Sequence, residues 1–193
     1  MKDVLGTFTT SYATSNGNRS QNISNGASLI NGTVLYPGDS FSTYEVVSPF
    51  TRDNGYEMAG SYLNGQVVDS LGGGICQVST TLYNAVLLSE LEVVERSNHS
   101  MIVTYVDPSA DAAIAGTYKD FKFKNNTDAP IYIERATAGK QITFTIYGEE
   151  TRPANRTIKY VSQTLSTTDP GAVIVADPGQ PIGYRVVSGA HRG

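Results

Sequence analysis

Gly72-Gly73-Gly74-Ile75-Cys76-Gln77-Val78-Ser79-Thr80-Thr81 is the stretch of this chain in which residue types converge on chemistry. Three glycines permit a tight turn with positive φ and let another group approach the backbone closely. A helix-forming run follows, which puts Cys76 in or beside the first helical turn. A thiol there faces unpaired backbone N–H groups and the positive end of the helix dipole, which favour its ionised, nucleophilic form. The same N–H groups suit a tetrahedral oxyanion, so Gly73, Gly74, Gln77 and Ser79 are the substrate and oxyanion candidates.

A nucleophilic cysteine needs a base. The chain has two histidines. His191 stands in the C-terminal tail, whereas His99 immediately precedes an apolar stretch from Met101. A cysteine at a helix N-terminus served by a histidine on a later strand is the arrangement of papain-like acyl-transfer enzymes. Asp107, Asp111 and Asp120 are candidates to orient the imidazole, with Asp111 preferred. The competing reading makes Cys76 a small apolar packing residue, with the glycines bringing backbone against a ligand.

Other site chemistries have less support. No Gly-Lys-Ser/Thr follows the glycine run, so it is not a phosphate-binding loop, and no dinucleotide fingerprint is present. One cysteine and two distant histidines provide no metal-ligand pair of recognised spacing, so neither metal nor cofactor is expected. The net charge of −4 is spread along the chain without a basic run, which argues against nucleic acid as a partner. No run of about 18 apolar residues exists to span a membrane. With 17% charged residues and a surplus of Gly, Ser, Thr and Asn, the composition suits an exported, loop-rich β protein. A chain of 193 residues suffices for one domain with a real core plus a small appendage.

The elements that must hold Cys76 and His99 follow from periodicity. Val78, Leu82, Ala85, Val86 and Leu88 define a helix over about 76–90. Ile23, Ala27 and Ile30 define another over 21–30, with Ser20 as its N-cap. Asn64-Gly65 between two extended runs, 56–63 and 66–71, marks a hairpin. Strands are expected over 5–12, 34–36, 92–96, 101–106, 119–124, 130–136, 141–147, 156–163 and 182–187. The fold class is therefore α+β: an antiparallel sheet packed by two helices, with a β-rich C-terminal extension.

Taken together, Asn22-Ile23 and the segments from Gly32 to Phe41, Gly73 to Tyr83, Glu95 to Ser100 and Asp120 to Asn125 resemble the VanW-like family, named for an accessory protein of vancomycin-resistance gene clusters. The resemblance covers roughly residues 5–150, and its motif falls on Cys76, Gln77 and His99. Ala110 and Ala113 depart from the pattern, which has Gly and Thr there. The resemblance implies a domain over 1–150, followed over 151–193 by the start of a small β module of the G5 type. It further implies an exported, cell-envelope setting and a cell-wall polymer or peptide as partner. Two functions are carried forward. One is a cysteine acyl-transfer or amide-hydrolysing enzyme acting on peptidoglycan peptide. The other is a non-catalytic wall-binding module or extracellular adaptor.

Overall fold

Alternating apolar residues build the central sheet. In the strand β9 (Gln141–Gly148), Ile142, Phe144 and Ile146 are buried on one face. A turn at Gly139-Lys140 returns the chain to the antiparallel strand β8 (Ile131–Ala138), which adds Ile131 and Ile133 to that face. Strand β1 (Asp3–Ser11) pairs with the far edge of β9, from Asp3 opposite Gly148 to Ser11 opposite Gln141. The short β2 (Val34–Leu35) completes the order β1-β9-β8-β2. The computed structural model describes residues 2–63, 66–168 and 176–186.

Two helices cover the apolar face. Helix α3 (Ile75–Leu88) lies on β1 and β9 through Val78, Leu82, Ala85 and Val86, all fully buried. Helix α1 (Gly17–Ile30) packs beside α3 and buries Ile23, Ala27 and Ile30. Each of these valine, leucine and isoleucine side chains contributes about 1.5–3 kcal/mol on leaving water, and the alanines less. A third helix, α2 (Thr43–Val47), packs against α1.

A second sheet has the order β3 (Ser40–Ser42), β7 (Lys122–Lys124), β6 (Glu92–Glu95). Its core is aromatic: Phe123 stacks on Phe121 and tilts against Phe41, while Tyr83 of α3 meets Phe121 edge-on. The hairpin of β4 (Met58–Leu63) and β5 (Gln66–Leu71) forms a two-stranded sheet of its own. The Asn64-Gly65 turn that marks it in the sequence lies outside the described residues.

The architecture is α+β with antiparallel sheets, as the periodicity predicts. Several boundaries differ. Helix α1 begins earlier than expected, because Asn16 rather than Ser20 accepts the Arg19 N–H as its cap. Helix α2 was not expected; Ser42 caps it by accepting the Glu45 N–H. Residues 101–106 and 156–163 form no strand. Met101 and Val103 are buried, but as loop residues apart from the main hydrophobic cluster, lining the hollow beside His99. The 156–163 segment instead runs over the C-terminal half of α3, where Tyr160 donates to the Leu87 carbonyl and Ser162 to that of Pro108. Residues 182–186 are exposed without strand pairing; Val187 and His191 lie outside the described residues. Among the described residues, no helix is long and apolar enough to cross a membrane.

Candidate active site

The glycine run is shaped by its neighbours. A Cβ on Gly73 would stand 2.2 Å from the Ala59 carbonyl oxygen, so only glycine lets this turn pack against the backbone of β4. Gly74 has φ of 109° and serves as the N-cap of α3. Asn22 of α1 fastens the turn: its amide donates to the carbonyls of Gly73 and Glu57 and accepts the Glu57 N–H. Cys76 therefore sits in the first turn of α3, partly exposed. The Ile75 and Gln77 N–H groups donate to Gly72 and Gly74, while that of Cys76 meets no backbone carbonyl among the described residues.

Cys76, His99 and Asp111 come together. Nδ1 of His99 is 2.6 Å from Oδ2 of Asp111, which leaves Nε2 for the Cys76 thiol, close enough to affect the titration of the ring. The Cys76 Sγ also lies 3.4 Å from the Ile114 carbonyl oxygen. The His99 and Asp111 side chains are only 8% and 9% exposed. Burial by itself would lower the His99 pKa. The hydrogen bonds to Asp111 and Cys76 outweigh it and push the imidazole up to about 9. Burial would likewise raise Asp111, but its bonds to the His99 ring and backbone hold the carboxyl below its usual range.

The segment that carries Asp111 is irregular, and side chains position it. Thr80 of α3 accepts the Ala112 N–H at 2.9 Å, and Ser79 donates to the Ala112 carbonyl at 2.6 Å. Asn84 donates to the Ala110 carbonyl at 2.8 Å. From the other side Arg96 donates to the carbonyls of Ser109 and Asp111 and pairs with the Asp111 carboxylate at 3.1 Å. Its guanidinium lies over the Tyr83 ring. Buried polar groups on α3 thus replace the strand ladder that the loop lacks.

A hollow of about 440 Å³ opens beside His99 and Asp111, lined also by Arg96, Ser100 and Met101. Tyr62 of β4 meets the His99 ring edge-on from the hairpin side. Tyr105 is half-buried near Cys76, and desolvation raises its phenol pKa well above the usual value. The arrangement supplies a thiol, a base oriented by a carboxylate, and a helix N-terminus at one place.

The family model described as "VanW like protein" matches residues 18–147, two thirds of the chain and the whole of this site. The chain belongs to the VanW-like family. "Uncharacterized protein YoaR" of Bacillus subtilis is 39% identical over 146 residues, spanning 76% of this chain and 48% of that protein. "Vancomycin B-type resistance protein VanW" of Enterococcus faecalis is 27% identical over 158 residues, spanning 76% and 57%. The chain thus spans about half the length of the curated relatives it matches. No solved structure matches it significantly.

Within this VanW-like domain the residues singled out from sequence fall into two groups. Cys76, His99 and Asp111 meet. Asp120 lies elsewhere, accepting from Ser42 and from the Tyr44 N–H at the start of α2, while Asp107 accepts the Ala110 N–H with its backbone carbonyl. Gln77 is buried, and both of its amide hydrogens go to β1, to Thr10 Oγ1 and the Ser11 carbonyl; none is left for an oxyanion. The Ser79 hydroxyl is likewise taken up by the carbonyls of Cys76 and Ala112. Gly73 and Gly74 pack on β4 and α1, which accounts for them without a ligand. Thr80 and Asn84 were missed. Their signal was the polar run through the most apolar helix of the chain, a pattern that demands buried partners.

Proposed function

We propose that this domain is a cysteine-dependent acyl-transfer or amide-hydrolysing enzyme of the cell envelope, acting on peptidoglycan peptide. The observation that carries this reading is the His99 imidazole, bound to Asp111 through Nδ1 and close enough to Cys76 for the thiol to affect its titration. The Cys76 sulfur attacks an amide carbonyl carbon and forms a C–S bond. The Cys76 N–H, at the positive end of α3, stabilises the oxyanion. His99, which takes the thiol proton and is stabilised as the imidazolium by Asp111, gives that proton to the departing nitrogen as the C–N bond breaks. A water, or an acceptor amine in transfer, then attacks the thioester. It yields a proton to His99, and the sulfur leaves. The wall setting is supported by the relative whose name carries vancomycin resistance.

The test is intact-mass analysis after acid quenching of the protein with soluble wall peptides. The expected result is a thioester adduct on Cys76 that hydroxylamine removes and that Cys76→Ala and His99→Ala lack. One contact favours a non-catalytic wall-binding module instead: the thiol directed at the Ile114 carbonyl, a packing bond. Under that reading peptides bind equally well to Cys76→Ala, and no adduct forms with the native chain.

A further inference from the structure

We infer that Arg19 recognises a substrate carboxylate close to the amide attacked by Cys76, which makes the substrates of this site acidic peptides. The inference rests on the reading of Cys76 as the nucleophile and adds a specificity determinant to it.

Arg19 crosses the turn that presents Cys76. Its Cγ lies 2.9 Å from where a Cβ on Gly74 would stand, so the stem lies against the N-cap of α3. Its guanidinium is near enough to Cys76, Tyr62 and Tyr105 to interact with their charges. An extended peptide advances about 3.3–3.6 Å per residue, so a group held here is within a few residues of the carbon that Cys76 attacks.

The two arginines of the site differ in what they meet. Arg96 is saturated by the Asp111 carboxylate, two carbonyls and the Tyr83 ring. Among the described residues, the only side-chain partner of the Arg19 guanidinium is the Ser15 hydroxyl, at 2.6 Å, a neutral group that engages one of five N–H donors. Among the described residues, no carboxylate pairs with that guanidinium.

The placement of Arg19 is also costly. It stands at the third position of α1, where the helix dipole opposes a cation, and it is partly buried. The N-terminus of α3 converges on the same corner. Neither helix has an acidic residue in its first turn. A chain of net charge −4 thus keeps a positive corner beside its thiol. A planar carboxylate binding two guanidinium N–H groups is the complement of that corner.

Two alkylating reagents of nearly equal shape test this without knowledge of the natural substrate: iodoacetate, which carries a carboxylate, and neutral iodoacetamide. Arg19→Gln should slow iodoacetate labelling of Cys76 at least tenfold more than it slows iodoacetamide labelling. Arg19→Lys, which keeps the charge, should retain most of the iodoacetate rate. A parallel change with both reagents would assign Arg19 to the sulfur and overturn the inference, as would an unchanged iodoacetate rate. Native protein that neither reagent labels would remove the nucleophile reading itself, a separate failure. A second measurement needs no variant: N-acetylated peptides protecting wild-type Cys76 from iodoacetamide. Peptides with a free carboxylate should protect at concentrations at least tenfold lower than fully amidated ones. Comparing C-terminal amidation with Glu→Gln replacement shows which carboxylate is read. Equal protection by all forms, or none, overturns the inference.

Discussion

Oδ2 of Asp111 accepts two hydrogen bonds from His99, one from the ring Nδ1 at 2.6 Å and one from the backbone N–H at 2.7 Å. One carboxylate oxygen thereby fixes both the position of the residue and the orientation of its ring. The other oxygen is held by Arg96. This is the second-sphere arrangement that a base needs when it must present one nitrogen to a thiol.

Replacement of Asp111 by Asn removes the charge and turns an acceptor into a mixed group. The His99 pKa should then fall from about 9 toward its ordinary value of 6.5. Adduct formation on Cys76 should drop about 100-fold or more. A proton NMR titration of the His99 ring in the wild type and Asp111→Asn reads the first effect directly.

The same pair makes stability pH-dependent. The folded His99 pKa is raised above its unfolded value, so the stabilisation is fully present below about pH 6.5 and is lost as pH rises through about 9. The whole effect is up to about 3 kcal/mol. Urea unfolding at both ends of this window should show the loss in the wild type, and His99→Ala should flatten it.

Gln77→Ala should separate structure from chemistry. The amide ties α3 to β1 through Thr10 and Ser11, and its removal leaves buried acceptors unpaired, at about 1–3 kcal/mol. Iodoacetamide labelling of the folded variant should stay within about twofold of wild type, a small difference beside the tenfold effects of losing a catalytic group. A large fall in labelling without a change in melting temperature would return Gln77 to the site.

Thr80→Val leaves the Ala112 N–H without its acceptor and loosens the segment that carries Asp111. The expected cost is about 1–3 kcal/mol. The His99 titration should also move toward its ordinary value, which a change in packing alone would not cause. Thr80→Ser should restore both, since the acceptor oxygen returns.

Gly73→Ala drives a methyl group into the Ala59 carbonyl and must displace β4 or the turn. A loss of roughly 1–3 kcal/mol or more follows, read as a lower melting temperature.

Local pattern was enough for α3, for the β4–β5 hairpin and for β8–β9, because each has a clear period and nearby turn residues. It was enough also to single out Cys76, His99 and Asp111 as residues to watch. What it missed depends on long-range partners. Met101 and Val103 alternate as in a strand, yet the backbone beyond them is satisfied by Ser79, Thr80, Asn84 and Arg96 rather than by a ladder. Gln77 looked available because nothing local says that β1 will lie beneath it. Asp120 resembled a site residue although it caps α2. The α2 start was legible as Ser42-Thr43-Tyr44-Glu45, a capping-box pattern, and passed unnoticed because the helix has only five residues.

The central claim is that His99 serves the Cys76 sulfur, and the rate of iodoacetamide labelling across pH, in wild type and His99→Ala, tests it most directly. The account predicts native labelling near about pH 6 that falls at least tenfold in the variant, the two rates converging above about pH 9, where His99 has lost its proton. Coincident profiles over the whole range, or a native thiol that does not react at all, would contradict it.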